Sequence, residues 1–352
     1  MRKFSEAILE ATDQLLAQDE SVYVMGLGAP DPKGIFGTTV GLVDKYGPER
    51  IQDMPTSENA MTGIAIGSAI VGMRPLMTHQ RVDFALLALD QIINNAAKWH
   101  YMFGDQMRVP LTIRLVMGRG WGQGPQHSQS LHSLFAHIPG LKVVMPSNPY
   151  DAKGLLISAV EDDDPVIYLE HRWLHNITGE VPSEMYRVPI GKAKVVEEGT
   201  DVTIVASSHM TLEAFRALKY LEGISVELID LRSVKPLDTE TILNSVRKTG
   251  HVVIADPDWK MCGFGAEVAA VIAEEAFGDL KAPLKRVSYP DRHSPTSWLL
   301  ANHYYPTAED IACCVLEMLG KKTASKALLQ KLLDKKMGIP LDQPDKSFTG
   351  PF

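Results

Sequence analysis

Three consecutive segments decide the fold: Leu141-Lys142-Val143-Val144-Met145, then Pro149 through Val160, then Pro165-Val166-Ile167-Tyr168-Leu169-Glu170. The outer two are short, mainly apolar runs of strand length, and the middle one has the length of a helix that begins on proline. A strand, a helix and a second strand at this spacing specify a crossover unit, and hence a parallel α/β sheet. The pattern extends upstream. A helix is expected over Ser5–Gln18, a buried strand at Val22–Gly26, and a Gly/Pro-rich loop over Gly28–Gly37. There follow a helix of small residues over Asn59–Val71 and a strand at Arg74–Thr78. Phe84–Trp99 reads as an amphipathic helix with Leu86, Leu89, Ile92, Ile93 and Ala96 on one stripe. Val109–Met117 reads as a strand, and the four glycines of Gly118–Gly124 as a tight loop.

Downstream, Thr178–Pro189 turns rich in Gly, Glu, Pro and Ser, as a linker does, and a second alternating series begins. Its strands are expected at Asp201–Ala206, Ser225–Asp230 and His251–Asp256. Its helices are expected at Met210–Leu221, Asp238–Arg247, Gly265–Phe277 and Ala308–Leu319. The expected architecture is therefore α/β with two parallel-sheet domains, residues 1–180 and 190–320, and a Lys-rich then Pro-rich tail over 321–352.

The 352 residues are 45% hydrophobic, enough for two ordinary cores. A formal net charge of -8, with the 35 Lys and Arg scattered, argues against nucleic-acid binding. No apolar run reaches membrane-spanning length. Met1-Arg2-Lys3-Phe4-Ser5-Glu6 leads into an acidic amphipathic pattern, unlike a signal peptide. Cys262, Cys313 and Cys314 form no metal or disulfide framework and read as small buried residues, which fits a cytoplasmic setting.

Met54-Pro55-Thr56-Ser57-Glu58 opens the small-residue helix. Alone, it reads as an N-terminal cap with an acidic first turn. It is followed in order by Gly72-Met73-Arg74-Pro75, Asp83-Phe84-Ala85, Asp90-Gln91-Ile92-Ile93-Asn94, Gln126-His127-Ser128-Gln129-Ser130 and Pro139-Gly140-Leu141-Lys142-Val143-Val144-Met145-Pro146. Asp230-Leu231-Arg232, Lys235-Pro236-Leu237-Asp238 and Gly263-Phe264-Gly265-Ala266-Glu267 complete the series. Over roughly residues 1 to 320 this order resembles the beta subunits of the thiamine-diphosphate-dependent pyruvate, branched-chain and acetoin dehydrogenases, in the transketolase superfamily.

The resemblance implies a thiamine pyrimidine-binding domain followed by a transketolase C-terminal-like domain. It implies decarboxylation of a 2-oxo acid, with the acyl group passed to a lipoyl carrier. Glu58 would share a proton with the aminopyrimidine of thiamine diphosphate, a role suited to a carboxyl in an apolar pocket. Phe84 would lie against the pyrimidine, although it reads equally as a core aromatic, and Gln80 would join the cofactor contacts. His127 would act near the reacting centre on the substrate carboxylate or in acyl transfer. Backbone oxygens of Ala159, Asp162 and Asp164 would take a potassium ion. No Gly-Asp-Gly segment for magnesium occurs, so the resemblance assigns the diphosphate and its magnesium to an alpha subunit in a heterotetramer of two alpha and two beta chains. A lipoyl-bearing acyltransferase core is a further implied partner.

The chain departs from the family pattern in four places. Gly26-Leu27-Gly28-Ala29 lacks the usual acidic residue, and His79 replaces an apolar or aromatic one. Arg119 and Trp121 stand in the loop before His127, and Pro290-Asp291-Arg292-His293 in place of a more proline-rich run. These point to a less familiar 2-oxo acid or acceptor. Two other readings stay open: a split transketolase-like enzyme moving ketol units between sugars, and a non-catalytic α/β regulatory subunit. His132 and His137 read as structural or peripheral. Gly263–Ala269 reads as helix packing, because the preceding strand ends too early for a dinucleotide turn.

Overall fold

The computed structural model describes residues 1–120, 122–338 and 341. A two-residue strand β1 (Arg2–Lys3) leads into α1 (Phe4–Gln18), where the Lys3 N–H donates to the Glu6 carboxylate at 2.8 Å and closes a capping box. Phe4, Ile8, Ala11 and Leu15 recur on the buried face of α1. Next come β2 (Val22–Gly26), α2 (Leu42–Tyr46), β3 (Ile51–Gln52), α3 (Glu58–Ile70) and β4 (Arg74–His79). The chain continues through α4 (Val82–Ala85), α5 (Ala97–Met102), β5 (Thr112–Met117), α6 (His132–Ala136), β6 (Lys142–Val144), α7 (Pro149–Glu161), β7 (Val166–His171) and β8 (Thr178–Gly179). In α7 the sequence signal is direct: Pro149 occupies the first turn and the Asn148 side chain accepts from the Asp151 N–H at 2.9 Å.

Between α4 and α5 the chain is not the regular amphipathic helix expected over Phe84–Trp99. Leu86–Ala88 is a 3-10 turn and Asp90–Ala96 a π-helix, and the buried positions are Ala85, Ala88, Ile92 and Ala96. Leu86 is exposed. The buried positions keep spacings of three and four residues, but the stripe runs through Ala85, Ala88, Ile92 and Ala96 rather than through Leu86, Leu89 and Ile93.

The second half comprises β9 (Lys194–Glu197), β10 (Val202–Ala206), α8 (His209–Ala217), β11 (Val226–Asp230), β12 (Ser233–Lys235), α9 (Thr239–Thr249) and β13 (Val252–Trp259). After them come α10 (Phe264–Glu275), β14 (Lys285–Tyr289), α11 (Trp298–Tyr304), α12 (Ala308–Met318) and α13 (Lys322–Gly338). The last element lies in the segment read from sequence as a tail. Ser325 and Leu332 of α13 are buried, and its Lys335 pairs with Glu309 of α12 at 3.1 Å.

The first sheet has the order β12-β6-β7-β5-β4-β2-β3 and the second β14-β13-β10-β11-β9. Both are mostly parallel. The antiparallel members are β12 against β6 and β9 against β11. Helices cover both faces, so β2, β5, β7, β10 and β11 are buried along their whole length and read as continuous apolar runs rather than alternations. Although β12 comes from the second half, it closes the edge of the first sheet. One apolar cluster runs across both halves, from Met25, Ile92 and Phe135 to Val205, Ile254 and Phe264.

Candidate active site

In an open parallel sheet, loops at the carboxyl ends of the strands form the crevice where ligands bind. Four of the expected site residues gather there. β4 delivers His79, Gln80 and Arg81, and α4 then turns Phe84 towards the loop after β5. The Phe84 and His127 rings meet edge to face, 5.2 Å apart and 89° between planes. Gln80 donates through Nε2 to the Leu27 carbonyl at 2.9 Å, tying the ends of β4 and β2.

Glu58 opens α3 at this same sheet end, following β3. Its carboxylate has no hydrogen-bond partner among the described residues, and its carbonyl accepts from the Thr62 hydroxyl at 2.7 Å. Ser57 makes no side-chain cap, so the bland capping role does not account for this segment. Asp53 fixes the approach, its Oδ1 accepting from the Gly28 and Met54 N–H groups at 2.8 and 2.9 Å.

The loop carrying His127 is fastened from below. Gln129 donates to Asp83 Oδ1 at 2.7 Å, and its carbonyl accepts from the Gly118 N–H at 2.9 Å. Ser128 Oγ accepts from the Gly120 N–H at 3.3 Å. Arg81 donates to the Gly118 carbonyl at 3.2 Å and also reaches Gln123. Gly118 must be glycine. Its φ is +79°, and a Cβ would sit 2.1 Å from His171 Nε2.

Burial sets the protonation of this floor. It raises the Asp83 carboxyl above the ordinary carboxylate range, lowers His79 to about 4 and pushes Arg81 down to about 10. His79 is thus neutral. Its Nε2 and Asp83 Oδ2 are buried without a partner. Arg119 is buried, its guanidinium 3.5 Å from the Trp173 ring centre and 4.8 Å from that of Tyr305. Trp121 lies outside the described residues.

Ala159, Asp162 and Asp164 share one turn at the exit of α7, on the opposite side of the sheet ends. The Asp162 carbonyl accepts from Arg74 Nη1 at 3.0 Å, and its carboxylate accepts twice from Lys142 Nζ at 2.7 Å. Asp164 faces His100 Nδ1 at 2.8 Å. Protein cations already neutralise much of this turn.

Several polar residues at the junction of the halves were not legible as a set. His132, at the start of α6, is fully buried, its Nε2 2.9 Å from Asp256 Oδ1 and 3.7 Å from Asp258 Oδ2. Burial alone would lower its pKa, but the two carboxylates outweigh that and raise it to about 9. The three ligand-type atoms lie within 4.8 Å of one another, yet all four carboxylate oxygens already accept hydrogen bonds, from His132, Ser207, Gly265, Trp259 and Ser133. Asp256-Pro257-Asp258 at the end of an apolar strand was the available signal, since alternate strand residues share a face.

β13 runs to Trp259, further than expected from sequence, and four residues connect it to α10. Gly263 lies against the Trp259 carbonyl, and the Gly265 N–H donates to Asp256 at 3.0 Å, so this segment seats a carboxylate. Of the cysteines, Cys313 is buried as expected but Cys262 is exposed. Among the described residues no helix is long and apolar enough to cross a membrane.

Comparison with known proteins places the two halves in known domain families. Residues 1–176 match the transketolase pyrimidine binding domain and residues 191–311 the transketolase C-terminal domain. The chain is 45% identical to the beta subunit of acetoin:2,6-dichlorophenolindophenol oxidoreductase from Cupriavidus necator, across 87% of this chain and 94% of that one. It is 38% identical to the beta subunit of the pyruvate dehydrogenase E1 component from Rickettsia conorii (87% and 94%) and 42% identical to the 2-oxoisovalerate dehydrogenase subunit beta of Bacillus subtilis (87% and 92%). Among solved structures, a split gene transketolase described as an inactive beta4 tetramer superposes with a TM-score of 0.73 at 27% identity, over 91% of this chain and 98% of that one.

Proposed function

The chain belongs to the transketolase family, with the E1 beta subunits of 2-oxo acid dehydrogenases as its homologues, and from that premise we propose that it is the beta subunit of a thiamine-diphosphate enzyme that decarboxylates a 2-oxo acid and passes the acyl group to a lipoyl carrier. The observation that carries this reading is the Phe84–His127 edge contact at the sheet end where Glu58 stands without a partner. Thiamine diphosphate, when bound, supplies the nucleophilic carbon and the electron sink for decarboxylation.

The residues present fit the pyrimidine half of that cofactor: a free carboxylate, an aromatic ring and a floor whose buried Asp83 Oδ2 and His79 Nε2 lack partners. Glu58 would hold the pyrimidine ring by sharing a proton with its nitrogen. Phe84 excludes water beside it. His127, half-buried on its loop, would offer an imidazole nitrogen to the substrate carboxylate or the acyl group. Gln80 keeps the β2 and β4 ends in register.

Nothing in the sequence offers a Gly-Asp-Gly magnesium site, so an alpha subunit supplies the diphosphate side and the active assembly is a heterotetramer, able to dock on an acyltransferase core. A potassium ion on the Ala159, Asp162 and Asp164 oxygens belongs to the same proposal. It would share the Asp162 carbonyl with Arg74, in a structural and not a reacting role. A cytoplasmic setting completes it.

The test is calorimetric titration of thiamine diphosphate and magnesium into this chain, into the alpha-type partner, and into both together. Tight binding by the pair alone, followed by carbon dioxide release from a 2-oxo acid, is the expected result. Ketol transfer between sugar phosphates with no 2-oxo acid turnover would overturn the substrate class. Tight binding by this chain alone would overturn the divided site.

A further inference from the structure

The five-residue helix α6 directly follows the loop that carries His127. One turn of helix has little stability of its own, so its place is set by what grips it. Residues of the second half grip both of its ends. At the start, His132 lies between Asp256 and Asp258 and the Ser133 hydroxyl donates to Asp258. At the end, Lys235 Nζ donates to the Ala136 and Ile138 carbonyls at 2.9 and 2.5 Å. Between His127 and α6, Ser128 and Gln129 are bonded to Gly120, Gly118 and Asp83, and Ser128 and Ser130 are buried.

We propose that His132 is a positioning residue for the reaction: clasped by Asp256 and Asp258 of the second sheet, it sets the 122–131 segment, and with it His127, against Phe84. The proposal rests on the reading of Phe84 and His127 as the reacting centre. Its physical content is a charge balance in a dry place. Two buried carboxylates require a cation, and among the described residues His132 faces both of them. Ser207, Gly265 and Trp259 satisfy the remaining carboxylate lone pairs, and the ring is held through Nε2, its Nδ1 being buried without a partner. The titratable groups facing it are Asp256 and Asp258. α10 presents the Phe264 ring, edge-on at 6.3 Å, and Tyr289 and Tyr304 lie beyond the carboxylates. The clasp holds while His132 carries its proton and opens as pH rises through about 9.

The experiment uses the complex reconstituted with its alpha partner and the variant His132→Gln, which keeps a donor and loses the charge. Small misplacements of a reacting group cost up to about a hundredfold in rate, so kcat is expected to fall by about ten- to a hundredfold, with KM within about twofold. The wild-type decline in kcat at high pH should vanish in the variant. Amide exchange over 122–131 should quicken while β5 and β7 keep their protection. Asp258→Asn, which keeps the shape, should move all these readouts the same way and carries the test if His132→Gln fails to assemble. Wild-type kcat with unchanged exchange in 122–131, or an unaltered high-pH limb, would overturn the proposal. Exchange is read without turnover. If the wild-type complex consumes no 2-oxo acid, the function reading falls and the clasp is still judged by exchange.

Discussion

The end of the first sheet and the junction between the two halves both bury aspartate and histidine, and hold their carboxylates in opposite states. At the junction every carboxylate oxygen of Asp256 and Asp258 is engaged and the facing histidine supplies the balancing charge. At the sheet end Glu58 has no partner among the described residues, and buried atoms of Asp83 and His79 are left unpaired. Leaving such groups unsatisfied is costly in a finished core. The contrast separates two carboxylates whose four oxygens are all satisfied, beside a histidine with only Nδ1 left over, from a sheet end where carboxylate oxygens themselves are left open.

Three substitutions and a pH series test that contrast. The largest effect is expected from Glu58→Ala. Loss of a proton-sharing group costs about a hundredfold to ten-thousandfold in rate. Because the side chain is half-buried and unpaired, unfolding free energy should change by less than about 0.5 kcal/mol. Turnover of the reconstituted pair and a urea titration read the two quantities, and undiminished turnover would remove Glu58 from the site.

The junction should show the reverse, a stability effect with a pH signature. His132 has its folded value raised from 6.5 to about 9, so its contribution is complete below about 6.5 and is lost as pH climbs through about 9. Wild type should therefore lose on the order of 3 kcal/mol relative to His132→Gln across that window. Parallel curves in urea titrations at stepped pH would show that the clasp carries no net charge-linked stability.

The smallest effects compare two helix starts. Asn148→Ala, which removes the cap of α7, should cost about 1 kcal/mol. Ser57→Ala, at the start of α3, should change stability by less than about 0.5 kcal/mol, because Ser57 caps nothing. Equal losses at both would show that Ser57 caps α3 in solution.

Much of this was legible in the residues. Strands buried on both faces announce themselves as unbroken apolar runs, and Val22–Gly26, Val202–Ala206 and Val226–Asp230 fall within a residue of where the pattern puts them. Ordered motifs also gave the family, because a site spread over several loops leaves short fixed signatures at each. The failures share a cause. Small Ala85, Ala88 and Ala96 are the residues buried with Ile92, whereas the larger Leu86, Leu89 and Ile93 drew the expected stripe. α13 buries only a few side chains beneath a lysine-rich surface, and composition therefore read it as a tail. His132 looked peripheral because both its partners are more than a hundred residues away.

By itself the sequence determined the α/β class, the two alternating series, the family and the candidates Glu58, Phe84 and His127, since each rests on local pattern or on the order of short motifs. Only the tertiary structure decided that β12 closes the first sheet from the second half and that Phe84 meets His127. It also decided that Asp256 and Asp258 converge on a histidine carried by the first half. Those facts depend on which strand ends are brought side by side, and on which charges are then cut off from water. Chain-local propensity carries neither.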